Sequence, residues 1–270
     1  MPYKDTRTCW LCGHRKDTWE CEHHPILKEM VCDVCIAPRS YDTKNTQRVG
    51  RPSEHVPPFS VEFEVAAPCY TLSSRLERAL ILIKYGFLRT EDDSVDDEYK
   101  SPIFQSLRAF YKPLGAMHQL RDLVMPWCGT HLHVTLRQKK ALVSIQDRVF
   151  GPLLAHLAAN SSETEAFWGR TLCRYAAPSS ATRYACFSLW SKHDTLEYRL
   201  PRFRTAQQYL AIVRFCLHMT TFLSDRLNPE SPLFDTPEHM ADGILAIYRH
   251  ALAHPVNRLP LLTKGVFAHV

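Results

Sequence analysis

Three apolar runs in this chain each carry two polar residues one position apart. They are Glu62 and Glu64 in SVEFEV, His131 and His133 in THLHV, and Glu197 and Arg199 in TLEYRL. Polar and apolar residues alternating with a period of two mark a half-buried β-strand. Side chains at i and i+2 of a strand share one face. Each run therefore presents two charged or metal-binding groups on one side and apolar residues on the other. One such strand is an ordinary solvated face. Three side by side make a wall of carboxylates, imidazoles and a guanidinium, a set that suits divalent cations and phosphate.

Helical periods lie between these strands. Leu72, Leu76, Leu80 and Ile83 recur at helical spacing over 71–86, with Thr71 or Ser73 as cap and Gly86 as stop. Further helices are predicted over 103–125, broken at Pro113, and over 138–159, kinked near Pro152. The stretches 205–225 and 237–254 read as two more, with Leu210, Ile212, Val213, Phe215 and Leu217 in the core of the first. His218, His239, His250 and His254 fall on these helices as structural or surface residues. Strands are predicted over 59–66, 130–136, 182–190 and 194–200, the last two as a hairpin. The segment TEDDSVDDEYKSP reads as a loop in which Glu91, Asp92, Asp96 and Asp97 are solvated charges.

At 270 residues the chain is long enough to bury about three-quarters of its unfolded surface. A net charge of +5 permits anionic ligands without pointing to a nucleic-acid binder. No run of apolar residues is long enough for a membrane span, and the N-terminus lacks a signal-peptide core. The expected location is cytoplasmic, where disulfides are rare. Cys69, Cys128, Cys173, Cys186 and Cys216 are accordingly expected as buried thiols.

The other five cysteines crowd into residues 1–37. Cys9-x-x-Cys12 and Cys32-x-x-Cys35 are separated by 19 residues, the spacing of a four-thiolate zinc site. Cys21, His23 or His24 could replace one ligand. So short a segment builds no core of its own, and metal would supply its folding energy, on the order of 10 kcal/mol. A closed four-ligand shell makes this zinc structural rather than catalytic. The module is expected to dock on the main domain or on a protein partner. Residues 38–58, polar and broken by Pro and Gly, read as a linker to a domain over 59–270.

In order along the chain stand SVEFEV, DDSVDDEYKSP, CGTHLHV, RYACFSL and DTLEYRLP. Together they resemble the amidoligase family, carboxylate-amine ligases with a glutamine synthetase-like catalytic fold. That family's pattern is G-V-E-x-E, D-G-S with E-x-x-S-P, C-G-x-H-x-H, R-Y-x-x-x-N-L and G-T-x-E-F-R. The resemblance covers about residues 59–225. It implies an α+β fold: a curved, mostly antiparallel sheet with the site on its concave face and helices packed on the convex side. It also implies ATP-dependent amide formation with two Mg²⁺ ions. By that likeness Glu62, Glu64, Glu98, His131 and Glu197 would hold the metals. His133 would reach an ATP phosphate and Arg199 the transferring one. Arg170 and Arg183 would add phosphate or substrate contacts, with Arg174 as a further candidate. The substrates would be a small-molecule or peptide carboxylate and an amine.

The chain departs from that pattern at Ser60, Asp93, Ser188 and Asp194, which stand where the family has Gly, Gly, Asn and Gly. None of these is a proposed metal or phosphate ligand. Two other readings of the same residues stay open. One is a ligase-like binding or adaptor protein whose zinc module contacts a partner. The other is a metal-dependent hydrolase using the same carboxylate-histidine wall.

Overall fold

The computed structural model describes residues 6–8, 15–17, 21–24, 29–32, 47–53, 56–66, 72–92, 95–178, 184–190 and 193–254. Two small antiparallel hairpins come first: β1 (Thr6–Thr8) with β2 (Arg15–Asp17), and β3 (Cys21–His24) with β4 (Glu29–Cys32). Of the predicted zinc ligands, Cys9, Cys12 and Cys35 lie outside the described residues. Cys32 ends β4, its backbone opposite Cys21.

The rest is an α+β arrangement around one open, mixed sheet. Its strands are β5 (Arg48–Val49), β6 (Phe59–Val65), β7 (Leu88–Asp92), β8 (Val95–Lys100), β9 (Ile103–Phe104), β10 (Thr130–Thr135), β11 (Phe187–Ser188) and β12 (Thr195–Tyr198). The main path runs β11-β12-β10-β6-β8-β7, and all its pairs are antiparallel. β9 pairs with β6 and, in parallel, with β5. Arg48–Val49, inside the stretch read as a linker, is therefore part of the sheet.

The described helices are α1 (Leu72–Lys84), α2 (Leu107–Gln119), α3 (Lys139–Val143), α4 (Gln146–Ala159), α5 (Ser161–Trp168), α6 (Ala206–Arg226) and α7 (Pro237–Ala253). Gly86 follows α1 at φ +82°, a left-handed conformation in which glycine carries no Cβ penalty. Ser106, Thr205 and Thr236 cap α2, α6 and α7 by accepting the N–H of Ala109, Gln208 and His239. Among the described residues no helix is long and apolar enough to cross a membrane.

Three local expectations are corrected. The acidic segment is the β7–β8 hairpin, not a loop, and Asp97 is buried against Arg89. α2 runs through Pro113, because strand β9 and the Ser106 cap set its start and its apolar face packs on the core. The stretch 138–159 is two helices, and the break falls at Ser144–Ile145 rather than at Pro152. There the Ser144 hydroxyl donates to the Ala141 carbonyl, a local bond that competes with helix continuation.

The apolar sides of the strands meet the helices. Phe59, Val61, Phe63, Leu132, Leu196 and Tyr198 are all buried. The Tyr198 hydroxyl lies 2.9 Å from the Cys216 carbonyl and 2.6 Å from Thr220 Oγ1, both on α6. Tyr209, also on α6, donates to the Thr130 carbonyl of β10. Cys128, Cys186 and Cys216 are buried as expected, whereas Cys173 is exposed. With one face filled this way, the polar residues at alternate positions must turn to the other.

Candidate functional site

The three polar strands are neighbours. In the ladder His131 faces Glu62, His133 faces Glu197, Glu62 faces Lys100 and Glu64 faces Glu98. Cross-strand partners share a face of the sheet. Glu62, Glu64, Glu98, Lys100, His131, His133 and Glu197 therefore converge on one side of four adjacent strands, with Arg199 just beyond β12.

The central group is Glu62. Its Oε1 lies 3.2 Å from Lys100 Nζ and 3.2 Å from His133 Nε2, and its Oε2 lies 3.4 Å from His131 Nδ1. His131 spans the site: Nε2 is 3.4 Å from Glu64 Oε1, and Nδ1 is 3.7 Å from Glu197 Oε1. Lys100 also reaches Glu98 Oε1 at 2.9 Å, and Thr90 donates to that same oxygen at 2.8 Å. Glu64, Glu98, His131 and Glu197 are each buried.

Burial pushes the Glu62 carboxyl up, but His133, His131 and Lys100 outweigh it and hold the group well below the usual carboxylate range. Glu98 moves the other way, raised by burial and by the Glu62 charge against the pull of Lys100 and Thr90. Burial works against the charged form of Lys100, yet Glu62 and Glu98 raise it, so it stays an ammonium. For His133 burial is likewise outweighed, by Glu62 and Glu197, and its pKa rises.

Glu62, His133 and Glu197 each offer a ligand atom, and these atoms lie within 4.8 Å of one another. His133 Nε2 is buried 3.2 Å from Glu62 Oε1 without a well-directed hydrogen bond. A buried ring nitrogen without a bond is costly, and a cation between two carboxylates would satisfy it. Two carboxylates and one imidazole suit a hard or borderline divalent ion, which would take the place of a ring proton on His133 Nε2. This grouping differs from the sequence expectation, which gave His131 to the metal and His133 to phosphate.

No family model matches the chain. No curated protein matches it either. The chemistry of the site thus has to be read from its own residues.

Two short segments explain how the wall is held. The Gly129 N–H donates to Glu64 Oε2, and the Glu64 N–H to the Gly129 carbonyl at 3.2 Å. Ser101 Oγ accepts the Val61 N–H at 2.8 Å, and the Ser101 N–H donates to the Val61 carbonyl at 2.8 Å. These bonds lock the register of β8 on β6, just where Pro102 has no N–H to continue the ladder.

Arg199 is turned back onto the site. Its Nη1 pairs with Glu197 Oε1, its Nε donates to the Tyr175 carbonyl at 3.2 Å, and its guanidinium lies 5.7 Å from the Tyr184 ring centroid. Arg170, expected as a phosphate contact, is instead spent on backbone. It is buried, and it donates to the carbonyls of Arg199 and of Leu200, the latter at 3.1 Å. It positions the segment that carries Arg199. Arg174 is exposed and stacks on Tyr175 at 4.5 Å. Arg183 lies outside the described residues. Sequence reasoning missed Lys100, although Lys100 stands two residues from Glu98 and obeys the same i, i+2 rule that marked the other pairs.

Proposed function

We propose that the chain is an ATP- and divalent-metal-dependent ligase that joins a carboxylate to an amine through an acyl phosphate, as its likeness to the amidoligases implies. The observation that carries this reading is the convergence of Glu62, Glu64, Glu98, His131, His133, Glu197 and Arg199 on one sheet face. These residues come from strands far apart in sequence. The α+β class and the mostly antiparallel sheet support the same reading. A sheet curved as in glutamine synthetase and a structural zinc in residues 1–37 belong to this proposal.

In the first step a substrate carboxylate oxygen attacks the γ-phosphorus of ATP, the bond from that phosphorus to the bridging oxygen breaks, and ADP leaves. In the second an amine nitrogen attacks the acyl carbon, inorganic phosphate departs, and the amine loses a proton. Glu62, His133 and Glu197 are the groups that would hold a divalent cation, which would neutralise the carboxylates and draw phosphate oxygens to them. Arg199, a planar donor beside that triad, suits the transferring phosphoryl group. The protein's contribution is positioning and charge neutralisation rather than covalent chemistry.

The test is calorimetry with Mg²⁺–ATP on the full chain, followed by mass spectrometry of products formed from pooled amino acids and amines. Binding in the millimolar range or tighter, lost in Arg199→Ala, supports the ligase. No binding by a folded chain at millimolar ATP rejects it and favours a binding protein. Metal-dependent cleavage without ATP would favour a hydrolase built on the same triad.

A further inference from the structure

The wall carries a cation of its own. Lys100 stands between Glu62 and Glu98, 3.2 Å from the first and 2.9 Å from the second. To use both carboxylates, a divalent ion would have to occupy the space that this ammonium fills. Metal–oxygen bonds to Mg²⁺ run about 2.0–2.1 Å, shorter than either ammonium contact, so the two cations cannot share that gap. On the other side of Glu62 the situation is reversed. There His133 Nε2 is buried 3.2 Å from Glu62 Oε1 without a well-directed hydrogen bond, and it faces Glu62 and Glu197, whose carboxylates complete a three-ligand set.

Charge points the same way. Four carboxylates, those of Glu62, Glu64, Glu98 and Glu197, face the ammonium of Lys100 and the guanidiniums of Arg199 and Arg170, the last acting on Glu64. One divalent cation more than balances the negative charge that remains. A second would leave the empty wall strongly positive at close range, where like charges are costly.

We propose that this site takes a single divalent cation, on Glu62, His133 and Glu197, and that Lys100 is a built-in cation in place of a second metal. The inference rests on the metal-dependent reading given above. It assigns Glu98 to the Lys100 clamp and leaves Glu64 to the Gly129 N–H and His131.

The experiment is a Mn²⁺ titration of the full chain followed by electron paramagnetic resonance of the free ion. Mn²⁺ favours carboxylate and imidazole over thiolate, so the N-terminal cysteines contribute little to the count. The wild type is expected to bind one Mn²⁺ per chain, and His133→Ala none. Lys100→Met, similar in length but uncharged, is expected to bind two, and Lys100→Arg one. Two Mn²⁺ in the wild type, or one in folded Lys100→Met, overturns the inference and leaves the ligase reading standing. No Mn²⁺ bound by a folded wild type overturns both. If Lys100→Met does not fold, Lys100→Gln removes the ammonium and keeps both carboxylates of the clamp. Its count should then exceed that of Lys100→Arg, and an equal count counts against the inference.

Discussion

A Cβ placed on Gly129 would lie 2.3 Å from His131 Nε2 and 3.1 Å from Glu64 Oε2. Glycine at 129 is therefore what lets the backbone that leads into β10 serve as the floor under a histidine and a carboxylate. His131 is itself buried and held between Glu62, Glu64 and Glu197, so its ring has little room to retreat. Gly129→Ala is expected to push His131 out of line and to weaken Mn²⁺ binding at least about tenfold, a change of about 1.4 kcal/mol. Circular dichroism should stay that of the wild type. Unchanged affinity in this variant would show that His131 does not shape the metal site.

The Tyr198 hydroxyl supports the strand that carries Glu197 from behind. It bonds two groups of α6, the Cys216 carbonyl and Thr220 Oγ1. Tyr198→Phe keeps the ring and strands both partners, at a cost of about 1–3 kcal/mol. Urea unfolding should show that loss. In Thr220→Val the same variant should cost less, because one partner is already gone. Strict additivity would mean that the two hydroxyls do not interact.

The site was legible in the sequence because strand geometry is simple: a period of two fixes which residues share a face, whatever the strand's neighbours. Neighbour order was not legible. β10 separates β6 from β12, and β8 lies on the far side of β6, an order set by long-range packing rather than by any local signal. The acidic hairpin was misread because Asp and Glu are depleted in strands. Here Arg89, Lys100 and Thr90 neutralise or bond the buried carboxylates, and no single-residue propensity reports such partners. The backbone contacts of Arg170 were not legible for a related reason. A buried arginine binding carbonyls and one binding phosphate look alike until its neighbours are known.

Arg170 ties together the carbonyls of Arg199 and Leu200 with two nitrogens of one planar fork. Lysine offers a single point charge and cannot reproduce that fork. Arg170→Lys should therefore loosen the segment that aims Arg199. Its Mg²⁺–ATP affinity is expected to fall about tenfold, with a stability loss of about 1–3 kcal/mol from the under-satisfied carbonyls. Arg174→Ala, at an exposed position nearby, should change stability by no more than about 0.5 kcal/mol. Equal effects of the two substitutions would count against a positioning role for Arg170.

His218 gives the fold a pH dependence that does not involve the site. Burial, with His250 and Arg214 close by, pushes its pKa from 6.5 down to about 4. The ring is thus neutral in the native state at pH 5, where an unfolded histidine is already mostly protonated. Between those values the unfolded chain binds more protons, so stability falls as pH falls from 6.5 towards 4 and levels off below. The depression is worth at most about 3 kcal/mol by linkage, and partial solvent contact at this half-buried ring lowers that to about 1–2 kcal/mol. His218→Gln removes the titration and keeps a polar side chain of similar size. Urea unfolding of both forms at pH 7, 5.5 and 4 should show the wild type losing about 1–2 kcal/mol more than the variant across that range. Parallel losses would mean that His218 titrates alike in the folded and unfolded chain.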